Sequence, residues 1–261
     1  CLVGGWKGFK SILSLAFTGV TILFILFPLM YRGYSPILMS VIICTIATIF
    51  SMEMIGGFST KTVAATIGTV FGVIASAVAA MVFGHFAGIS GYNVSDIENL
   101  IYVQQITSIK VGELLFSGII ISALGAVTDV GVSVASTVQE IYNTDPTLGK
   151  RKLFMSGIHV GRDMMGTMVD TLILAYVGTA LSTLVTNYAY DLSYNQLINS
   201  NNIGIEIMQS LAGSLGIVLA VPITALVAVE LIYRKPKAEK EAAGQPEQEE
   251  KKPAGIAVSE N

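Results

Sequence analysis

Three aspartates and an arginine interrupt an otherwise apolar sequence, and their spacing limits the chemistry open to it. Ser122, Gly125, Asp129, Ser133 and Ser136 recur at intervals of three and four, which puts them on one face of a helix. Further along, His159, Asp163, Gly166, Thr167 and Asp170 repeat that spacing, with Arg162 beside them. Glu53 stands near the end of an earlier apolar run. A charge in hydrocarbon costs at least about 2.5–3.5 kcal/mol on insertion scales, so it faces a bundle interior or a water-filled cavity. Three chemistries fit. Arg162 paired with Asp129 or Asp163 makes an internal salt bridge that locks helices together. Asp129, Asp163, Asp170 and Glu53 among Ser122, Ser133 and Ser136 make a site for a small ion, a proton or a polar solute. His159 with Asp163, at i and i+4, makes two ligands of a metal-dependent intramembrane enzyme, a sparse set beside established metal sites. No paired-His helix motif, nucleophile elbow or phosphate loop is present. A coupling cation is the single accessory these residues suggest, and no other cofactor is expected.

The elements that carry these residues must be membrane helices. Only 13% of the 261 residues are charged, where soluble domains average about 25%. About a third of those charges fall beyond Arg234. That arithmetic excludes a soluble enzyme, a disulfide scaffold and a nucleic-acid binder. Two cysteines, Cys1 and Cys44, give no disulfide framework. Runs of about 20 apolar residues span a bilayer, and six appear, at about 11–31, 36–57, 62–88, 113–135, 158–185 and 206–233. The chain is expected to be all-α: a six-span domain over 11–234, with the bilayer as its first partner. Residues 1–10 read as the end of a preceding membrane helix and a cytoplasmic turn. Residues 235–261 read as a disordered cytoplasmic tail, too polar to bury a core. Cys1 reads as the start of a fragment rather than as a lipidated terminus.

Basic residues alternate between the loops. Lys7, Lys10, Lys61, the triplet Lys150, Arg151 and Lys152, and then Arg234, Lys235 and Lys237 fall on one side. Arg32 and Lys110 are the basic residues of the other side, and 186–205 has none. The positive-inside rule puts both ends in the cytoplasm.

Two outer loops carry the capping-box pattern, Ser95-Asp96-Ile97-Glu98 and Ser193-Tyr194-Asn195-Gln196, each predicting a short interfacial helix. Ala64, Gly68, Gly72, Ser76, Ala80 and Gly84 form a small-residue stripe on the third span, a helix-packing surface. Gly125 and Gly166 are expected to pack in the same way. Gly68-Thr69 and Gly166-Thr167 lie 98 residues apart, as do Ser95 and Ser193. Spans three and four therefore read as duplicated in five and six, a parallel repeat of the kind some transporters carry. Pro222 predicts a kink in the last span.

Several stretches resemble the YibE/F family of bacterial multipass membrane proteins. They are Gly4-Gly5-Trp6-Lys7-Gly8, Gly68-Thr69, Ala123 through Val130, and Ser133-Val134-Ala135-Ser136. The longest runs from Ser156-Gly157 through Gly161-Arg162-Asp163 and Gly166-Thr167-Met168 to Thr171 and Tyr176. The resemblance implies a bacterial cell membrane and, ahead of Cys1, an earlier membrane helix and an extracytoplasmic segment. It carries over no settled activity. Asp129, Arg162 and Asp163 match the family pattern, whereas His159 and Asp170 stand where the family tends to have Asn, which counts against His159 as a ligand.

These readings make a small-solute or ion transporter the first functional expectation. A membrane scaffold or accessory protein with a structural Arg–Asp network comes second, and an intramembrane enzyme third. A homo-oligomer or a second membrane subunit is compatible with each, and nucleic acid with none. The topology is tested by labelling Arg151→Cys and Asn195→Cys in intact cells with an impermeant thiol reagent. Position 195 is expected to react from outside and 151 only after permeabilisation. The reverse pattern would invert the bundle.

Overall fold

A computed structural model describes residues 5–92, 94 and 97–234. The expectations for Cys1, for the Ser95–Asp96 half of the first capping box and for the tail 235–261 fall outside the described residues.

Among the described residues every regular element is helical. Helix α1 (Gly5–Thr21) continues through a π-helical turn (Ile22–Leu26) into α2 (Phe27–Tyr31). That turn ends two residues before Pro28, which has no N–H for the ladder, and the Phe27 N–H reaches back to the Ile22 carbonyl. Helix α3 (Pro36–Gly56) starts on a Ser35 cap, with Pro36 at its first position. Helix α4 (Thr60–Ala87) starts on a Ser59 cap and ends at Gly88 in the left-handed region. The loop after α4 holds α5 (Ile97–Ile106), whose Ile97, Leu100 and Val103 cover a buried cluster of Leu26, Met30, Ile43, Ile109 and Val111. A 3-10 turn (Val111–Glu113) leads into α6 (Leu114–Thr144). Then come α7 (Lys150–Thr179), α8 (Leu181–Ala189), α9 (Tyr194–Ile198) and α10 (Asn201–Arg234). The capping box expected at Ser193 and Gln196 is present at the start of α9.

Among the described residues five helices are long and apolar enough to span a membrane, and α7 and α8, bent by 55° where they meet at Ala180, bring the number to six where that pair is one span. The expected boundaries need correction. The fourth span runs on to Thr144 and the fifth starts at Lys150, so a loop expected over some twenty residues shrinks to a turn. That turn is fastened locally. The Asp145 carboxylate accepts from the Thr147 N–H at 3.0 Å and from its hydroxyl at 2.6 Å, which holds the Asp145 pKa below the usual range. Tyr233 donates to the Leu148 carbonyl, and Lys150 bridges to Glu230 at 3.0 Å. Helix α10 continues through Pro222, the position at which the sequence predicts a kink. A membrane helix tolerates the lost backbone bond where neighbours surround it, and Val221 and Thr224 are buried.

Glycine sets the packing. A Cβ at Gly68 would collide with the Thr224 side chain and come within 3.0 Å of its Cα. At Gly72 it would meet the Gly216 carbonyl at 2.8 Å and Ala220 at 3.0 Å, and at Gly216 it would collide with Ser76. The stripe on α4 is thus a close crossing against α10. Gly131 brings α6 against Thr69 in the same way, and Gly157, Gly161 and Gly213 seat α7 on α6 and α10. Helices α4, α6 and α10 form the centre, with α7 on one flank and α3, followed by α1, on the other. Two glycines depart from expectation. A Cβ at Gly125 or Gly166 would meet nothing within 4 Å, so neither packs a helix within this chain.

This contrast is measurable by thermal unfolding in detergent. Gly68→Val should cost about 1–3 kcal/mol or prevent folding, because the Thr224 backbone cannot yield. Gly125→Ala should be neutral or stabilising by up to about 1 kcal/mol, as alanine favours helix.

Candidate functional site

Buried Val127, Val130, Val134, Ala135 and Val138 turn one side of α6 into the core. The opposite side therefore carries Asp129, Ser133 and Ser136, and it faces a cavity of about 520 Å³. Thr128 and Val132 complete that wall. Helix α3 contributes Ser51, Met52, Ile55 and Gly56, and α4 contributes Lys61, Thr62 and Ala65. From α7 the wall takes Met168.

The turn between α3 and α4 shapes the mouth. Gly57 adopts φ 64°, in the left-handed region, and reverses the chain. Ser59 then caps α4, accepting from the Thr62 N–H at 3.3 Å, with its hydroxyl 2.8 Å from that of Thr62. This places Lys61 at the helix end, near the basic end of the bundle. Asp129 sits deeper. Its neighbour Val127 packs at Gly72, which itself touches Gly216 and Ala220, close to the middle of α10. Asp129 falls at the midpoint of α6, fifteen residues from either end. The cavity thus runs from an ammonium group at the mouth to a carboxylate at mid-span, and no ion pair joins Lys61 to Asp129.

Toward the other end, α6 meets α7 through one polar contact. The Ser122 and Tyr176 hydroxyls are 2.8 Å apart, and Ser122 also donates to the Ile119 carbonyl at 3.0 Å. A serine has one proton to give, so Tyr176 is the donor to Ser122. Ser122 lies seven residues before Asp129, about 10 Å along the helix at 1.5 Å per residue. The bond ties the two helices together beyond the carboxylate. Nearer that end, one carboxylate oxygen of Glu206 is buried without a hydrogen-bond partner among the described residues.

The residues on α7 do not join this site. Gly157, Gly161, Leu172 and Tyr176 face the bundle, and His159, Arg162, Asp163, Gly166 and Asp170 are all exposed. Arg162 makes no ion pair with Asp129 or Asp163; the ion pairs among the described residues are Lys110–Glu113, Lys150–Glu230 and Glu230–Arg234. The internal salt bridge expected from the sequence is therefore not formed within one chain. Glu53 is half-buried on α3 and absent from the cavity wall. His159 and Asp163 share a helix face, but among the described residues no three His, Cys, Asp or Glu side chains come together as a metal site. Sequence reasoning missed Lys61, Thr62, Ser51 and Thr128. The Gly56-Gly57 turn followed by a Ser59 cap was the available signal for the first two.

Five long apolar helices and the bent α7–α8 pair, packed through glycines beside a largely apolar cavity that has a carboxylate in its wall, define a multipass membrane protein. A family model described as YibE/F-like protein matches residues 1–234, and the chain belongs to the YibE/F family. No curated protein and no solved structure matches it.

The Ser122–Tyr176 bond is testable by a double-mutant cycle on unfolding free energy in detergent. Ser122→Ala and Tyr176→Phe should be coupled by about 0.6 kcal/mol, the average for interhelical bonds in membranes. Strictly additive effects would mean that the hydroxyls do not interact.

Proposed function

We propose that this chain is a transporter or permease-like protein for a small solute or ion, with Asp129 as the binding carboxylate. The observation that carries the reading is the placement of Asp129: exposed at mid-span, inside a cavity, among Thr128, Ser133 and Ser136. A mid-membrane carboxylate without a salt-bridge partner needs water, a proton or a cation for company. The surrounding hydroxyls supply oxygen ligands of the kind hard cations prefer. We place the basic end in the cytoplasm of a bacterial cell, following the positive-inside rule, so that the cavity opens inward. On this reading Ser122 and Tyr176 close the path beyond the carboxylate, and release of their bond accompanies opening to the outside.

A second reading has its own support. The exposed charges of α7 suit a subunit contact, as an accessory protein that moves nothing would have.

Melting temperature of the purified protein, titrated with sodium, potassium, magnesium or calcium chloride against choline chloride, separates the two. A ligand at 100 times its Kd stabilises by about 2.7 kcal/mol. At least one cation should raise the melting temperature of the wild type in a saturable way, and Asp129→Asn should remove that response while the protein still folds. An equal response in wild type and Asp129→Asn would remove Asp129 from the binding site.

A further inference from the structure

We propose that α7 is the contact surface of a homodimer: two copies side by side in one membrane, related by a two-fold axis along the membrane normal, with Arg162 of each copy paired to Asp163 of the partner subunit. This does not rest on the Asp129 cavity. It begins from the position of the charges. Gly161 packs on Val221 and Val134, and Leu172 packs on Gly213. The stretch from Arg162 to Asp170 therefore lies beside 213–221, the middle of α10, where a membrane is driest. His159, Asp163, Gly166 and Asp170, at spacings of four, three and four, form one face, and every one of them is exposed. Facing lipid, that stripe would be strongly disfavoured. Another protein surface must cover it.

The charge pattern selects a second copy as the cover. A two-fold axis along the normal keeps every residue at its own depth, and the contact it generates is self-complementary. Arg162 and Asp163 are consecutive, so each meets its opposite within one residue rise, about 1.5 Å. An unrelated helix would need the reverse pattern at the same depth. Close approach is available too, because Gly166 sits at the centre of the stripe with nothing within 4 Å of its Cβ position. Apolar side chains flank the charges: Met155 is 44% exposed, Leu174 68% and Val177 46%. An apolar margin around a paired polar centre is the pattern of a buried contact rather than of a water-lined wall.

The experiment is oxidative crosslinking in native membranes, in a Cys1→Ser, Cys44→Ser background. Gly166→Cys adds its side chain in open space and so leaves folding intact. It should give a disulfide-linked species of twice the monomer mass in most of the protein. Leu219→Cys, exposed at similar depth on α10, should give at least fivefold less. Arg162→Asp and Asp163→Arg should each lower the Gly166→Cys yield severalfold, and combining them should restore it. Two differently tagged wild-type copies should also co-purify in mild detergent, a readout that needs no substitution. Equal yields at 166 and 219 without co-purification would overturn the proposal. A crosslink to a chain of another mass would overturn the homodimer in favour of a distinct subunit.

Discussion

The contact on which the rest depends is the crossing of α4 and α10, where Gly68 lies beneath Thr224 and Gly72 and Gly216 bring the two backbones together. Lipid tails are as apolar as leucine, so helices in a membrane associate through close packing rather than through release from water. A side chain at any of these glycines would hold the helices apart. Thr69, Ser76 and Thr224 are buried at this crossing, and their hydroxyls have no hydrogen-bond partner among the described residues. Shape complementarity is what holds the centre.

The tight packing of α4, α6 and α10 leaves room for the small hydroxyls of Thr69, Ser76 and Thr224 but not for the Asp129 carboxylate. The valine face of α6 fills the centre, and Asp129, Ser133 and Ser136 are turned outward toward α3 and Met168. The cavity is thus a consequence of the core. Its depth follows from the length of α6, and its mouth from the Gly57 reversal and the Ser59 cap. Helix α7 is constrained in the same way. Gly157 and Gly161 commit one face to the bundle, and the face bearing Arg162 and Asp163 is left outside.

The spans were readable because apolar runs broken by charged loops have a single physical solution in a bilayer. The α4 stripe was readable because small residues at every fourth position have little other use. The Asp129 face was legible from its three-and-four spacing. Which way a second polar helix turns was not. Arg162 and Asp163 carry the same spacing signal whether they point into a bundle or out of it, and only Gly157 and Gly161 on the other side of α7 decide. Helix ends were misjudged where charge was taken as the end of a helix, since Glu140 and Lys152 lie inside α6 and α7. Lys61 was read only as a loop charge, and Thr62 not as a site residue, because a cavity mouth is built from several helices and periodicity reports on one at a time.

The central claim is that one side of α6 is packed and the other is wet. Cysteine substitution along the helix, followed by the rate of reaction with a small water-soluble thiol reagent in membranes, tests it most directly. Positions 129, 133 and 136 should react, and positions 127, 130, 134 and 138 should be protected or fail to fold, so that reactivity repeats with the helical period. Uniform protection of positions 129, 133 and 136, or reactivity centred on 130 and 134, would contradict the account.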